Sequence, residues 1–239
     1  MIKKYFIITG ASKGLGRALS LELADSDVVL FLIAKKGLAK VGKLARYRGA
    51  SVEERLFDLR KIDGLEGLIG HIFTKIKKSR ASLVVLINNA GVVSPIAFAG
   101  NAKTKDVSDS LKINCISPII LSSIFIRKVK NFNCKKMIVN ISSGAAKKVF
   151  EGWSPYCSAK ASLEMFSNCV SSEQKRLKNG VKVYSIDPGV INTGMQEKIR
   201  GVDASEFPAV NKFIEWYKKG ILRPPEAAAK DINKIFWAP

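Results

Sequence analysis

Ser143, Tyr156 and Lys160 are the residues whose types and spacing could do chemistry: the serine lies thirteen positions before the tyrosine, and the lysine four after it. If the chain is helical from Pro155 onward, an offset of four puts the tyrosine and lysine on one face, about one turn apart. An ammonium held beside a phenol favours the phenolate and lowers a pKa that is otherwise about 10. Such a tyrosine exchanges a proton near neutral pH. A Tyr/Lys pair at this spacing is also a common solvated pair on helix surfaces. The upstream serine, and the nucleotide-binding features that accompany it, favour the catalytic reading.

Those features begin with the run YFIIT, Tyr5 to Thr9, which ends in GASKGLG and is followed by RALSLELA with helical periodicity. Strand, glycine-rich turn and helix come in succession. Gly10, Gly14 and Gly16 let the backbone turn tightly and approach a pyrophosphate at the positive end of the helix, where free N–H groups bind an anion. The spacing is G-x-x-x-G-x-G, and its place directly after a strand and at a helix mouth makes it specific. Val28 to Ile33 (VVLFLI) reads as a strand buried on both faces, ending in Ala34-Lys35-Lys36. An acid at this strand end would bind the ribose hydroxyls of NAD, whereas a basic residue accommodates the 2′-phosphate of NADP. Lys35, with Lys13 and Arg17 in the first turn and helix and no acid beside them, argues for NADP(H).

The elements that must position these groups alternate strand and helix. Ser51 to Leu56 leads into Asp58-Leu59 at the end of a third strand. Asp58 there either accepts a hydrogen bond from an adenine amino group or serves as a turn or N-cap aspartate. A helix is expected over 61 to 78. Leu83 to Ile87 is a fourth strand opening onto Asn88-Asn89-Ala90-Gly91, small and amide residues suited to lining the crevice at a strand's carboxyl end. Asp106 to Val129 predicts a long helix interrupted by Pro118, which has no N–H for the carbonyl of Asn114 four residues back. The helix should kink there and leave that carbonyl for a water. Lys136 to Ile141 delivers Ser142-Ser143, and Val181 to Ile186 delivers Asp187-Pro188-Gly189-Val190-Ile191-Asn192-Thr193. Residues 194 to 223 read as short helices and loops covering a substrate. Trp153 and Met195 are candidates for apolar substrate contacts or for ordinary packing. Pro224-Pro225 starts a last helix through about Trp237.

Composition excludes several classes. A chain of 239 residues with 47% apolar content can bury one sizeable core, and residues 1–239 read as a single α/β domain. No consecutive apolar run reaches the roughly 18 residues of a membrane span, and MIKKYFIITG is too short a run for a signal peptide. No membrane partner is expected. Cys115, Cys134, Cys157 and Cys169 show no CxxC spacing, which favours thiols in a reducing cytoplasm. Forty Lys+Arg against twenty Asp+Glu give a net charge of +20 and raise the question of nucleic acid. The charges are spread over nearly every element, in pairs such as Lys77-Lys78 and Lys147-Lys148, with no arginine-rich tail. A diffuse basic surface follows, with no specific nucleic-acid partner and only salt-sensitive polyanion binding. His71 is the only histidine, so a Ser-His-Asp triad would need it and a multi-histidine metal site is excluded.

Thr9-Gly10-x-x-x-Gly14-x-Gly16, Asn88-Asn89-Ala90-Gly91, Asn114, Ser143, Tyr156-x-x-x-Lys160 and Pro188-Gly189-x-x-x-Thr193, in this order, resemble the short-chain dehydrogenase/reductase family over nearly the whole chain. VNISSGAA, EGWSPYCSAKASLEMF and DPGVINTGMQEKIR look most like its sepiapterin reductase and benzil reductase branch, which reduces ketones and vicinal dicarbonyls with NADPH. The resemblance implies a catalytic tetrad of Asn114, Ser143, Tyr156 and Lys160, with a water on the Asn114 carbonyl linking the lysine to solvent. It implies a cofactor site of Gly10, Ser12, Lys13, Gly14, Leu15, Gly16, Arg17, Lys35, Asp58, Leu59, Asn89, Ala90, Gly91, Tyr156, Lys160, Pro188, Gly189, Val190 and Thr193. Ser143, Trp153, Tyr156 and Met195 would face a small-molecule carbonyl substrate. The expected fold is a doubly wound parallel sheet, a Rossmann fold, of strand order 3-2-1-4-5-6, in a homo-oligomer, dimer or tetramer. Family members usually continue into a final strand and tail. Here the sequence stops at Phe236-Trp237-Ala238-Pro239, so either the sheet has six strands or the sequence is truncated. The alternative function is an NADP-binding regulator of the same fold without catalysis.

Overall fold

The computed structural model describes residues 1–237. Apolar runs become β1 (Lys3–Thr9), β2 (Val28–Ala34), β3 (Ser51–Leu56), β4 (Ala81–Asn88), β5 (Lys135–Ile141) and β6 (Lys182–Ile186). They form one six-stranded sheet in the order β3-β2-β1-β4-β5-β6, every pair parallel, as the doubly wound expectation requires. Among the described residues there is no seventh strand.

Parallel neighbours need crossovers, and most of these are helical: α1 (Gly14–Glu22), α2 (Ala39–Tyr47), α3 (Leu65–Lys75), α4 (Thr104–Leu111), α5 (Ser117–Val129) and α6 (Ser154–Lys175). Alternate residues of β1 face opposite sides of the sheet. Phe6 and Ile8 join a core with α1, α2 and the last helix, α9 (Pro225–Trp237), while Tyr5 and Ile7 join one with α3 and α5. Covering both faces explains why the central strands are apolar throughout. α2 is not expected from the sequence pattern, because its buried face consists only of Val41, Gly42 and Ala45 between lysines. α3 is shorter than the expected helix over 61 to 78, with 3-10 turns at Ile62–Gly64 and Lys78–Arg80 flanking it.

The expected break near Pro118 takes a specific form. The helical path runs on from Thr104 to Val129, with a π turn at Lys112–Ile116 in which the Ser117 N–H reaches back to the Lys112 carbonyl. One extra residue is accommodated just before the proline, and Asn114 and Cys115 are turned into the interior. By length and composition this path could cross a membrane, yet half of it is buried and Leu121, Ile124, Phe125 and Val129 lie on the sheet.

β1 and β4 are adjacent although α1, α2 and α3 separate them in sequence. The crossovers leaving these two strands run in opposite directions, which opens a crevice at their carboxyl ends.

Candidate active site

Thr9, the last residue of β1, is buried, and its hydroxyl stitches the two central strand ends together. Its Oγ1 accepts from the N–H groups of Asn89 (3.0 Å) and Ala90 (3.1 Å) and donates to the Ile87 carbonyl (3.3 Å). The Asn89 side-chain amide donates to the Thr9 (2.9 Å) and Gly10 (3.3 Å) carbonyls. Gly10 turns away at φ +67°, where a Cβ would stand 2.8 Å from Ala90 Cα. α1 then follows Lys13, which provides no side-chain cap, and has no acid in its first turn. Its leading N–H groups therefore offer donors to an anion. A Cβ on Gly14 would meet Thr193 Cγ2 at 3.2 Å, so the loop after β6 closes over the same helix mouth. This uncapped, acid-free helix start between a glycine turn and a threonine fits the pyrophosphate of a dinucleotide.

At the far end of the crevice Lys35 is exposed, its Nζ 3.2 Å from Asp58 Oδ2. Arg60 grips the same carboxylate through Nε (3.0 Å) and reaches Asp109 with Nη1 (2.8 Å). Asp58 Oδ1 also accepts from the Arg60 backbone N–H (3.1 Å), the contact of a turn aspartate. The Arg60 guanidinium holds the Asp58 carboxyl well below the usual carboxylate range, with Lys35 adding to the effect. Leu59 is buried, and its carbonyl accepts from the Ser117 hydroxyl at 2.5 Å. Ser12 lies beside the turn after β2, with Gly37 close by. Arg17 is turned elsewhere: Nη1 lies 3.6 Å from Glu226 on α9. Of the three cations expected to converge, Lys13 and Lys35 are exposed, and Arg17 has in Glu226 an ion-pair partner distant in sequence.

The catalytic candidates come together. Ser142 N–H bonds the Ile186 carbonyl (2.7 Å), fixing the end of β5 against β6, and Ser143 follows in extended conformation, its Oγ accepting from Ala145 N–H (3.2 Å). Pro155 opens α6 and suits its first turn. Tyr156 and Lys160 are both buried on α6, and the Lys160 Nζ lies 5.8 Å from the phenol ring centroid while donating to the Ile141 carbonyl at 2.8 Å. Asn114 reaches the site through a paired amide: Oδ1 accepts from Val92 N–H (2.9 Å) and Nδ2 donates to the Val92 carbonyl (2.8 Å). A Cβ on Gly91 would stand 3.2 Å from Asn114 Oδ1 and 3.9 Å from Lys160 Nζ, so Gly91 lies against both.

The titration of the pair corrects the sequence expectation. Burial pushes the Tyr156 phenol up to about 12; a hydrogen bond with Ser143 pulls it down, and the Asp187 charge pushes it further up. Burial likewise lowers the Lys160 ammonium to about 8, with Cys115 offsetting part of the shift. The helical offset correctly predicts proximity. It does not reveal that both groups leave water, and desolvation opposes the charged form of each.

Lys160 gives folding stability a pH slope. Its folded pKa lies below the unfolded value of 10.5, so the penalty of burying the ammonium is present below about pH 8 and fades as pH rises toward 10.5. A shift of this size corresponds to about 3 kcal/mol at one pKa unit per 1.36 kcal/mol. Lys160→Met should therefore lose most of the rise in stability that the wild type shows between pH 8 and 10. Urea melts of both proteins across that range check this. The difference between them isolates Lys160 from Lys135 and Lys136, which burial shifts in the same direction.

The substrate candidates divide. Trp153 is 4% exposed, stacked on Phe207 (4.6 Å between centroids, 24° between planes) and edge-on to Tyr156 at 5.4 Å. Phe150 and Phe213 complete an aromatic cluster over the tyrosine. Trp153 thus packs against the tyrosine ring and braces the phenol. Met195 stays partly open on α7 (Gly194–Arg200), against the same cluster. Phe207, and Phe213 on α8 (Val210–Lys218), were not foreseen from the sequence, although the 213/216 aromatic spacing on one helical face was a usable signal. Residues 194–223 leave the loop after β6 at Gly194 and return at Arg223, which bridges back to that loop: Arg223 N–H bonds the Val190 carbonyl and Asn192 N–H the Arg223 carbonyl, both at 2.9 Å. In that loop Gly189, at φ +76°, follows Pro188 and donates to Asp187 Oδ1 at 3.0 Å.

A parallel sheet with this strand order, an uncapped helix at its glycine turn, and a serine, tyrosine and lysine gathered at the crevice define a nicotinamide-dependent oxidoreductase of carbonyl and CH–OH groups. The chain belongs to the short-chain dehydrogenase family, whose sequence profile matches residues 4–203. It is 34% identical over 232 residues to a benzil reductase ((S)-benzoin forming) of Bacillus cereus, covering 97% of this chain and 93% of that one. It is 29% identical to the sepiapterin reductase of Xenopus tropicalis, with 97% and 90% coverage. The crystal structure of the KRED1-Pglu enzyme superposes with a TM-score of 0.84 at 25% identity, covering 99% of this chain and 97% of that one. The resemblance to the benzil and sepiapterin reductase branch is borne out.

Proposed function

We propose that this reductase uses NADPH to reduce ketones and vicinal dicarbonyls of the benzil or sepiapterin kind, with Tyr156 as proton donor. The observation that carries the reading is the buried Tyr156 phenol, held neutral well above neutral pH, beside Ser143 and within 5.8 Å of a buried ammonium. Held by the glycine turn with Lys13 and Lys35, NADPH would supply the hydride that the carbonyl carbon takes up. Tyr156 gives its proton to the oxygen, and the Ser143 hydroxyl donates a hydrogen bond to the same atom. Lys160 stabilises the phenolate left behind and, at a pKa of about 8, passes a proton back to it. Asn114 clamps Val92 and thereby holds the Asn89-Ala90-Gly91 loop against the cofactor face. The proposal includes the water relay at the Asn114 carbonyl, which Pro118 leaves without its usual donor.

In the same reading residues 194–223 form the substrate cover, supported by the bridge from Arg223 at its end to Ile191 in the loop before it and by the aromatic cluster it places over Tyr156. Lys13 and Lys35 receive the 2′-phosphate. The reading also takes the protein to be cytoplasmic, in keeping with four free cysteines, and homo-oligomeric, which light scattering of the purified chain checks.

Lys35→Asp should weaken NADPH binding about tenfold or more, since a charge-assisted hydrogen bond is worth about 1.5–3 kcal/mol, and should shift preference toward NADH. Titration of cofactor fluorescence measures both affinities. Equal wild-type efficiency with the two cofactors refutes the NADPH assignment. A panel of benzil, sepiapterin and simple aldehydes tests the substrate class: the vicinal dicarbonyls should give the highest kcat/KM, and a clear preference for aldehydes would overturn it.

A further inference from the structure

Beneath the site, in an otherwise apolar interior, lies a chain of four buried polar side chains: Ser122, Asn88, Asn140 and Ser167, each no more than 4% exposed. Asn88 and Asn140 are register partners on β4 and β5, and the Asn88 Nδ2 donates to Asn140 Oδ1 at 2.8 Å. The same Nδ2 reaches Ser122 Oγ (3.1 Å) and the Pro118 carbonyl (3.3 Å) on α5. From the other side, Asn140 Nδ2 donates to Ser167 Oγ on α6 at 2.8 Å. The chain therefore ties α5, β4, β5 and α6 to one another in a single layer.

The four tied points sit next to catalytic candidates. α5 continues from the π turn that carries Asn114; Asn88 precedes Asn89; Asn140 precedes Ile141, whose carbonyl receives the Lys160 ammonium; Ser167 lies seven residues, two turns, after Lys160 on α6. Folding alone does not require such a network, since both serines already bond carbonyls of their own helices, Pro118 at 2.7 Å and Leu163 at 2.6 Å. Apolar side chains in place of both asparagines would leave no hydroxyl orphaned, and replacing both partners of a buried pair is often close to neutral for stability. The amides also come at a cost: Asn88 Oδ1 is buried with no partner.

We infer that Asn140, paired with Asn88 and Ser167, is a positioning residue for the reaction: it fixes the Ile141 carbonyl relative to α6 and so sets where the Lys160 ammonium stands beside Tyr156. The inference rests on the proposed roles of Tyr156 and Lys160. Loosening this tie lets the ammonium drift from the phenolate, which raises the pH at which the phenolate forms.

The test is the double variant Asn88→Val/Asn140→Val, assayed in both directions with NADPH and carbonyl and with NADP and the product alcohol. Reduction kcat should fall about tenfold or more with KM values near wild type, and the pH midpoint of alcohol oxidation, read with NADP bound, whose cationic nicotinamide favours the phenolate, should move up by about one unit. A kcat and pH midpoint matching wild type, whatever the melting temperature, overturns the inference. Ser167→Ala removes one hydroxyl and keeps the question open to measurement if the double variant does not fold: a smaller upward shift of the same midpoint supports the inference, and an unchanged midpoint overturns it. Tyr156→Phe run alongside separates the two failures. Retained activity there sinks the proton-donor reading itself, whereas lost activity with an unshifted midpoint in the network variants sinks only the positioning role.

Discussion

Tyr156→Phe should lower the turnover of carbonyl reduction by about 10²- to 10⁴-fold, the usual contribution of a positioned acid, and leave NADPH affinity nearly unchanged. The ring stays, so the edge contact with Trp153 and the packing under Phe207 and Phe213 survive; only the hydroxyl beside Ser143 is lost. Stopped-flow measurement of the chemical step, with cofactor affinity measured separately, distinguishes these effects. A variant that keeps more than about a tenth of wild-type turnover while chemistry limits the rate removes Tyr156 from the acid's role. The pH dependence has a definite sign. With the phenol pushed up to about 12, the proton is in place throughout the neutral range and reduction does not wait on Tyr156 titration. Alcohol oxidation needs the phenolate and should climb with pH.

Gly16→Ala should disable the protein more broadly. A Cβ there would lie 2.2 Å from the Gly10 carbonyl oxygen, which is backbone with no flexible tip to yield, and 2.5 Å from the Asn89 side-chain nitrogen. Asn89 would be driven off the Thr9 and Gly10 carbonyls it now binds, and the first turn of α1 pushed away from the strand end. Overpacking of this kind costs about 1–3 kcal/mol or more. We expect a melting temperature lowered by several degrees and NADPH binding weakened more than tenfold, because the displaced N–H groups are those that would meet the pyrophosphate. Calorimetry and cofactor titration read the two effects separately, and wild-type values in both would contradict this account of the glycine turn.

What the sequence made legible was whatever depends on short-range spacing. The glycine turn after Thr9, the strand order implied by alternating elements, and the meeting of Ser143, Tyr156 and Lys160 follow from local offsets and from chain order, and the fold bears out the arrangement. What stayed hidden depends on partners far along the chain. Arg17 meets Glu226, Arg60 beside Asp58 also reaches Asp109, and Trp153 is enclosed by Phe207 and Phe213. None of these pairings has a spacing rule. The direction of the Tyr156 shift is a case of the same kind: an i, i+4 lysine favours the phenolate, but how far the pair is buried is decided by the aromatic cluster and the sheet, and burial is the larger effect. The proline signal near Asn114 was legible as a disruption and not as a π turn, because one missing donor is compatible with a kink, a water or an added residue.

The most direct test of the central claim is a single-turnover reaction of the purified protein, loaded with one equivalent of NADPH and mixed with excess benzil while NADPH absorbance is followed. The account predicts that the absorbance is lost in one exponential phase, with one equivalent of hydroxyketone formed per NADPH and no loss when the carbonyl is omitted. NADPH that binds tightly yet is oxidised by neither benzil nor sepiapterin would contradict it, and would mark the chain as a cofactor-binding protein without this chemistry.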